Sequence, residues 1–194
     1  MTTPLSYATS RLVTPVDNND HIRGKTEASV TLVEYGDYQC PYCGMAYPAV
    51  EEVLRQRAGT VRLAYRHFPL TNVHPYAEMA AEVAEAAGTR SRFWEMHDWL
   101  FTNQQLIEPG SLLRAGADLG LDVEAIRREV VEHRYADKIR RDFVGGVRSG
   151  VNGTPGFFIN DLRHDGGYST GELLAAVDEA AAAWPTGRPH PEQP

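Results

Sequence analysis

The sequence has only two cysteines, Cys40 and Cys43, among 194 residues. Two cysteines are too few for the disulfide framework of a small secreted domain, and a chain of this length can bury a core that folds without one. Long hydrophobic runs are also missing, and no stretch reaches the roughly 20 apolar residues that a membrane-spanning helix requires. These absences favour a globular domain without a membrane span, whose stability does not depend on disulfides.

An excess of positive charge is absent as well. The net charge is -7, and basic residues such as Arg127 and Arg128 are interspersed with acidic ones on helical segments. Because this pattern is typical of a solvated face, we expect no nucleic-acid partner. The first residues lack a charged start followed by an apolar run of signal-peptide length, so we expect a cytoplasmic protein.

Hydrophobic patterning predicts a β-α-β unit near the start of the chain. Residues 1–27 are rich in Thr, Pro, Asn and Asp, and we predict an irregular lead-in there. Residues 29–35 are β-branched and apolar almost throughout, as in a central strand buried on both faces. A helix is predicted over residues 41–57 and a second strand over 61–67, so the two strands should pair in parallel.

About eighty residues with helical periodicity follow this unit. Five helices are predicted, over residues 75–87, 91–103, 109–119, 122–132 and 135–147. Strand character returns at residues 156–160, followed by a tight turn and a short second strand. An amphipathic helix is predicted over 169–184, and residues 185–194 are predicted to be a disordered tail.

The cysteines form a C-P-Y-C motif at the predicted start of the first helix. Positions three apart lie on one helix face, at a separation that a disulfide can close. The free N–H groups of a helix start also lower the pKa of a thiol, which favours a reactive thiolate at Cys40. Two inert, buried cysteines are the alternative. A zinc site would need two further ligands, and although His67 and His74 could be recruited, we expect no metal.

Several separated segments of the sequence are similar to one known family. VTLVEYGDYQCPYC, YRHFPL, HPYAEMAAEVAEAA, FWEMHDWLFTNQ and VNGTPGFFIN occur in this order. Together they resemble the DsbA-like family of thiol-disulfide oxidoreductases. The resemblance implies an α/β, thioredoxin-like fold with an inserted all-helical subdomain. Residues 28–70 and 150–184 would form the thioredoxin-like domain, and residues 71–149 the helical insertion.

The resemblance also implies roles for four residues in dithiol-disulfide exchange. Cys40 matches the attacking cysteine, which forms the mixed disulfide with a substrate, and Cys43 matches the resolving cysteine. Thr154 and Pro155 match the family's cis-proline loop, which lies beside the cysteines and exposes backbone to an extended substrate peptide. The implied substrates are proteins with thiols or disulfides, and the chemistry needs no bound cofactor.

Three further positions follow from the same resemblance. Glu34 corresponds to a buried acid that relays a proton to and from the buried cysteine, a role that a pKa raised by burial would suit. Pro41 and Tyr42, between the cysteines, would tune the thiolate and contact the substrate. Strongly oxidising members of the family carry histidine where this chain has Tyr42, so we expect a less oxidising pair.

Two other functions remain open from the sequence. C-P-Y-C also occurs in glutaredoxins, and the free N–H groups after Gly166 and Gly167 could accept the carboxylate of a low-molecular-weight thiol such as glutathione. A thioredoxin-like domain could also act without catalysis, as a module that binds peptides or senses redox state. The intact cysteine pair favours an enzyme over such a module.

Overall fold

The computed structural model describes residues 10–183, which contain a five-stranded sheet in the order β1-β3-β2-β4-β5. The strands are β1 (His21–Arg23), β2 (Val30–Gly36), β3 (Val61–His67), β4 (Gly156–Ile159) and β5 (Leu162–His164). Strands β2 and β3 are parallel, which confirms the predicted β-α-β unit, and the other three pairings are antiparallel. The predicted tail lies outside the described residues.

Helices connect and cover the strands. They are α1 (Pro41–Gln56), α2 (Ala77–Gly88), α3 (Phe93–Thr102), α4 (Pro109–Asp118), α5 (Val123–Val131), α6 (Ala136–Arg148) and α7 (Thr170–Ala183). The five helices predicted between β3 and β4 are all present, with ends that differ from the prediction by no more than two residues. No helix within residues 10–183 is both long and apolar enough to cross a bilayer. The residue bounds of the two domains stay a prediction.

The sheet is covered on both faces, as the apolar run of β2 predicts. All seven residues of β2 are buried, and successive side chains point to opposite faces. Leu32 belongs to a cluster that α1 and α7 complete. Val33 and Tyr35 belong to a second cluster, against which Phe143 of α6 packs. Strand β2 therefore has helices on both sides, and the loop after it leads directly to the C-P-Y-C motif.

The helical insertion shares a core with the sheet. Phe93, Met96 and Phe101 of α3 are buried in one cluster with Tyr38 and Tyr65. Tyr38 lies two residues before Cys40, and Tyr65 lies on β3. Each such side chain contributes about 1.5 to 3 kcal/mol by its burial. The insertion is therefore packed firmly onto the part of the chain that carries the C-P-Y-C motif.

The described part of the lead-in contains one short strand that the sequence does not predict. His21–Arg23 is an edge strand paired with β3. The segment before it is held by the buried guanidinium of Arg66, which donates to the carbonyl oxygens of Thr14 (2.8 Å) and Pro15 (2.9 Å). These contacts are made with residues distant in sequence, so no local periodicity could indicate them.

Candidate active site

The two cysteines lie at the start of α1, just after the loop that follows β2. Cys40 precedes the first helical residue, Pro41, and Cys43 lies one turn further on the same helix. Both are free thiols; Cys43 is fully buried and Cys40 is 3% exposed. The predicted placement of the motif at a helix start is confirmed.

Hydrogen bonds make Cys40 the acidic member of the pair. Its pKa is lowered to about 5, first by the hydrogen bond that the Cys43 thiol donates to it. Burial opposes this shift, whereas the Thr154 side chain and the backbone N–H groups of Cys43 and Tyr42 add to it. Cys40 is therefore a thiolate at neutral pH, and no histidine between the cysteines is needed for this.

Cys43 has the opposite character. Burial raises the pKa of its thiol well above the usual value, and the hydrogen bond it donates to Cys40 and the charge of Glu34 raise it further. The backbone N–H of Asp37 donates to its sulfur at 3.5 Å. Cys43 is therefore a buried, protonated thiol that donates a hydrogen bond to the Cys40 thiolate.

Thr154 and Pro155 lie beside Cys40, although they are 114 positions away in sequence. The Thr154–Pro155 peptide bond is cis. In the dithiol form the Cys40 thiol donates to the Thr154 carbonyl oxygen at 3.3 Å. Among residues 10–183 the buried hydroxyl oxygen of Thr154 has no hydrogen-bond partner in this form, so it is available to donate to the thiolate once that proton has left.

Glu34 lies on β2, opposite Tyr65 of β3 and Phe157 of β4. It is 2% exposed, and its Oε1 has no hydrogen-bond partner among the described residues. Burial, followed by the charges of Glu51 and Cys40, raises the pKa of this carboxyl to about 8. A carboxyl that titrates near neutrality beside a thiol pair has the properties expected of a proton acceptor.

Pro41 and Tyr42 are exposed on the first turn of α1, and Tyr42 is 60% exposed. Both are therefore accessible to a molecule that approaches Cys40. Their role in substrate binding stays a prediction.

Sequence reasoning missed Asp37, a buried carboxylate beneath the cysteines. Its Oδ2 accepts hydrogen bonds from the backbone N–H of Leu70 and from Nδ1 of His74, both at 2.8 Å. Its Oδ1 accepts from the N–H of Gln39, and its carbonyl oxygen accepts from the N–H of Cys40. One side chain therefore fixes the loop before Cys40 against the loop after β3.

Gln104 was missed for a similar reason. It lies on a short 3₁₀ turn, Gln104–Leu106, directly after α3. Its Nε2 donates to the carbonyl oxygens of Tyr38 (2.9 Å) and Cys40 (2.8 Å). Gly44 leaves room for this amide, since a Cβ there would collide with the Gln104 side chain. A residue of the predicted insertion thus holds the backbone around Cys40.

Replacing Gln104 by Ala should raise the pKa of Cys40 by about one unit. A hydrogen bond involving a charged group contributes about 1.5 kcal/mol or more, and one pKa unit corresponds to about 1.4 kcal/mol. Loosening the backbone that carries the N–H donors should remove roughly that much from the thiolate. The measurement is the rate of iodoacetamide alkylation against pH, whose midpoint in the parent should lie near pH 5, with little reaction below it.

The neighbouring Gln105, whose side chain is exposed, provides the matched control. Gln105→Ala should leave the alkylation midpoint unchanged. Gly44→Ala should reproduce the shift by displacing the Gln104 amide without removing it. If Gln104→Ala and Gly44→Ala both keep the parental midpoint, Gln104 does not position Cys40.

Comparison with known proteins gives one matching family model. A model described as thioredoxin matches residues 17–179. Among solved structures, a thioredoxin-like oxidoreductase from Silicibacter pomeroyi DSS-3 is 30% identical, with a TM-score of 0.77 over 86% of this chain and 95% of the other. Alpha-DsbA1 from Wolbachia pipientis is 21% identical, with a TM-score of 0.76 over 88% and 94% of the two chains.

In a curated relative, the matching segment is part of a much longer protein. A protein from Salinispora arenicola, named Na(+)/H(+) antiporter NhaA 1, is 49% identical over 172 residues. The match covers 88% of this chain and 26% of that protein. The chain thus spans about a quarter of the length of the curated relative it matches.

Proposed function

We propose, since this chain belongs to the thioredoxin family and has the fold of DsbA-like thiol-disulfide oxidoreductases, that it exchanges dithiols and disulfides with protein substrates. Cys40 and Cys43 would be the catalytic pair, and Thr154 and Pro155 the loop that receives the substrate. We limit the proposal to this segment, because the antiporter name belongs to a protein of which the chain covers only about a quarter.

The observation that carries the proposal is the position of Cys40 between a helix start and the Thr154 backbone. Cys40 has a pKa of about 5, so it is a nucleophile at neutral pH, whereas Cys43 is protonated and fully buried. The Thr154 carbonyl oxygen, 3.3 Å from the Cys40 sulfur, is a backbone acceptor at the point of reaction. An extended peptide can pair with such a backbone group while its sulfur meets Cys40.

The exchange then takes place in two balanced steps. The Cys40 thiolate attacks one sulfur of a substrate disulfide, forming a mixed disulfide and releasing the other substrate sulfur as a thiolate. Cys43 next gives up its proton, with the Glu34 carboxylate as the proposed acceptor, and attacks the Cys40 sulfur. The Cys40–Cys43 disulfide forms, and the second substrate sulfur leaves as a thiolate. The same steps in reverse oxidise a substrate dithiol.

The start of α7 disfavours a glutathione site. The Glu172 carboxylate accepts hydrogen bonds from both the backbone N–H and the hydroxyl of Ser169. It also lies where a Cβ on Gly167 would be. Because a carboxylate of the chain already caps this helix start, a second carboxylate there would be repelled. A low-molecular-weight thiol therefore remains the second candidate partner, after proteins.

The test is multiple-turnover exchange by the purified chain. With a disulfide-containing protein such as insulin as substrate and dithiothreitol as electron donor, we expect precipitation of the reduced chains to accelerate clearly. Cys40→Ser should reduce the rate to that of dithiothreitol alone, whereas Val131→Ser, on an exposed position of α5, should keep the parental rate. Exchange with oxidised glutathione but not with insulin would favour the glutathione-linked alternative. No exchange with either would favour a binding module.

A further inference from the structure

Three side chains with metal-binding atoms meet on the β1 edge of the sheet, in a cluster that the proposed exchange does not use. His21 lies on β1, His67 at the end of β3 and Glu85 on α2. Nε2 of His21 and Nε2 of His67 lie 2.9 and 2.8 Å from the same atom, Oε1 of Glu85. The three donor atoms all lie within 4.8 Å of one another.

The surroundings fix these side chains in place. The His21 ring stacks on Phe93, with centroids 3.4 Å apart and planes inclined by 6°. Gly88 leaves room for that ring, since a Cβ there would lie 3.1 Å from Cε1 of His21. The side chains of His67 and Glu85 are 1% and 9% exposed. The cluster is therefore built before any ligand arrives.

We propose that His21, His67 and Glu85 bind a divalent cation of the zinc class. Two imidazole nitrogens and one carboxylate oxygen are a donor set that suits zinc, and such three-ligand sites keep a fourth position for water. Zinc–ligand bonds of about 2.0 to 2.2 Å place tetrahedral ligand atoms about 3.3 to 3.6 Å apart, so each nitrogen needs to move roughly half an ångström further from Oε1. The His21 side chain is 20% exposed, so the cluster is accessible to solvent on its side.

Binding must displace the hydrogens that now lie between these atoms. In the hydrogen-bonded cluster each Nε2 carries the hydrogen that it donates to Glu85. On binding, a neutral imidazole moves this hydrogen to Nδ1, and a protonated one releases a proton to solvent. The carboxylate stays anionic and partly neutralises the cation. No change in the redox state of either cysteine is involved.

The cation would connect three parts of the chain that are distant in sequence. Strand β1 is only three residues long, and α2 belongs to the helical insertion. A metal bound to both, and to β3, fastens the edge strand and the insertion to the sheet. Because such a site forms only in the folded chain, metal binding adds to its stability.

Zinc titration of a double variant, Cys40→Ser with Cys43→Ser, tests the site without competing thiols. We expect one equivalent of zinc to bind, measured by competition with a chromogenic chelator, and the thermal unfolding midpoint to rise on binding. In this background, His21→Ala and Glu85→Gln should each weaken binding by at least about 100-fold, since loss of even an outer hydrogen bond to a ligand costs about 10- to 100-fold. Both variants should also lose the zinc-dependent rise.

His74→Ala in the same background is the matched control, because His74 is a partly exposed histidine that pairs with Asp37 outside the cluster. It should keep both the stoichiometry and the shift in the unfolding midpoint. If Glu85→Gln does not fold, judged by circular dichroism, His21→Ala decides alone, since His21 lies on an edge strand. Absence of stoichiometric binding by the double variant, or binding unchanged in His21→Ala, would overturn the proposal.

Discussion

A Cys43→Ala variant should accumulate mixed disulfides between Cys40 and protein substrates. Cys40 keeps its place at the helix start and attacks, but the chain has no second thiol to resolve the product. Intramolecular attack by a well-placed group corresponds to effective molarities of about 10⁵ M or more, so millimolar external thiol should release the adduct about 10⁸-fold more slowly than Cys43 does. Incubation with a protein disulfide, an acid quench and a non-reducing gel or intact mass measure the adduct.

The paired control is Cys40→Ser, which retains only the buried, protonated Cys43. It should form no adduct above background, since the thiolate is the nucleophile and the pKa of Cys43 lies well above its usual value. Equal trapping by the two variants would mean that the roles of the cysteines are wrongly assigned. A binding module would form only non-covalent complexes, which dissociate on denaturation. Cys43→Ala would then yield no covalent product.

Glu34→Gln should slow the second half of the exchange by about 100-fold or more, the usual contribution of a placed general base. The pKa of Glu34 is raised to about 8, chiefly by burial. Only the carboxylate, the form that prevails above pH 8, accepts a proton from Cys43. The parental rate of resolution should therefore rise with pH through a midpoint at or below about 8, because Cys40 carries no charge in the mixed disulfide and no longer raises the pKa of Glu34. Glu34→Gln, which never ionises, should lack that midpoint.

Rapid-mixing measurements of mixed-disulfide decay between pH 6 and pH 9 separate this step from the first attack. The rate of formation of the mixed disulfide should change little in Glu34→Gln, because it depends on Cys40. Glu51→Gln is a useful companion, since the charge of Glu51 is the second cause of the raised pKa of Glu34. Glu51→Gln should move the midpoint of the resolution rate to lower pH, and the rise of that rate with pH should remain. A midpoint near 8 that persists in Glu34→Gln would assign the titration to another group.

The sequence predicts most of the fold because its signals are local. The apolar run of β2 requires cover on both faces, and the five helices of the insertion each have their own periodicity and punctuation. The lead-in has no such signal, since its backbone is held by Arg66, the last residue but one of β3. An edge strand of three residues is too short to show any period. The cytoplasmic location expected from the sequence stays a prediction.

Only part of the site can be predicted from the sequence, because some of its residues act through contacts that are distant in sequence. Cys40 and Cys43 identify themselves by spacing, and Thr154, Pro155 and Glu34 follow from family resemblance. Gln104 and Asp37 act through backbone groups of other segments, so their own sequence context is uninformative. The zinc site that the sequence argues against would have used the two cysteines with two histidines. The cluster proposed above instead joins His21, His67 and Glu85, which lie on three different elements.

The order of the strands has a consequence for how the chain acquires its reactivity during folding. Strand β3 ends at residue 67, and β4, which pairs with β2, begins at residue 156. Closing a flexible loop of that length costs about 4 kcal/mol of chain entropy, so the local β2-α1-β3 unit can assemble well before β4 docks. An early intermediate of this kind already contains Cys40 and Cys43 but has no Thr154 beside them. The proposed disulfide exchange with a bound peptide would therefore be acquired late in folding, when the last long-range contacts form.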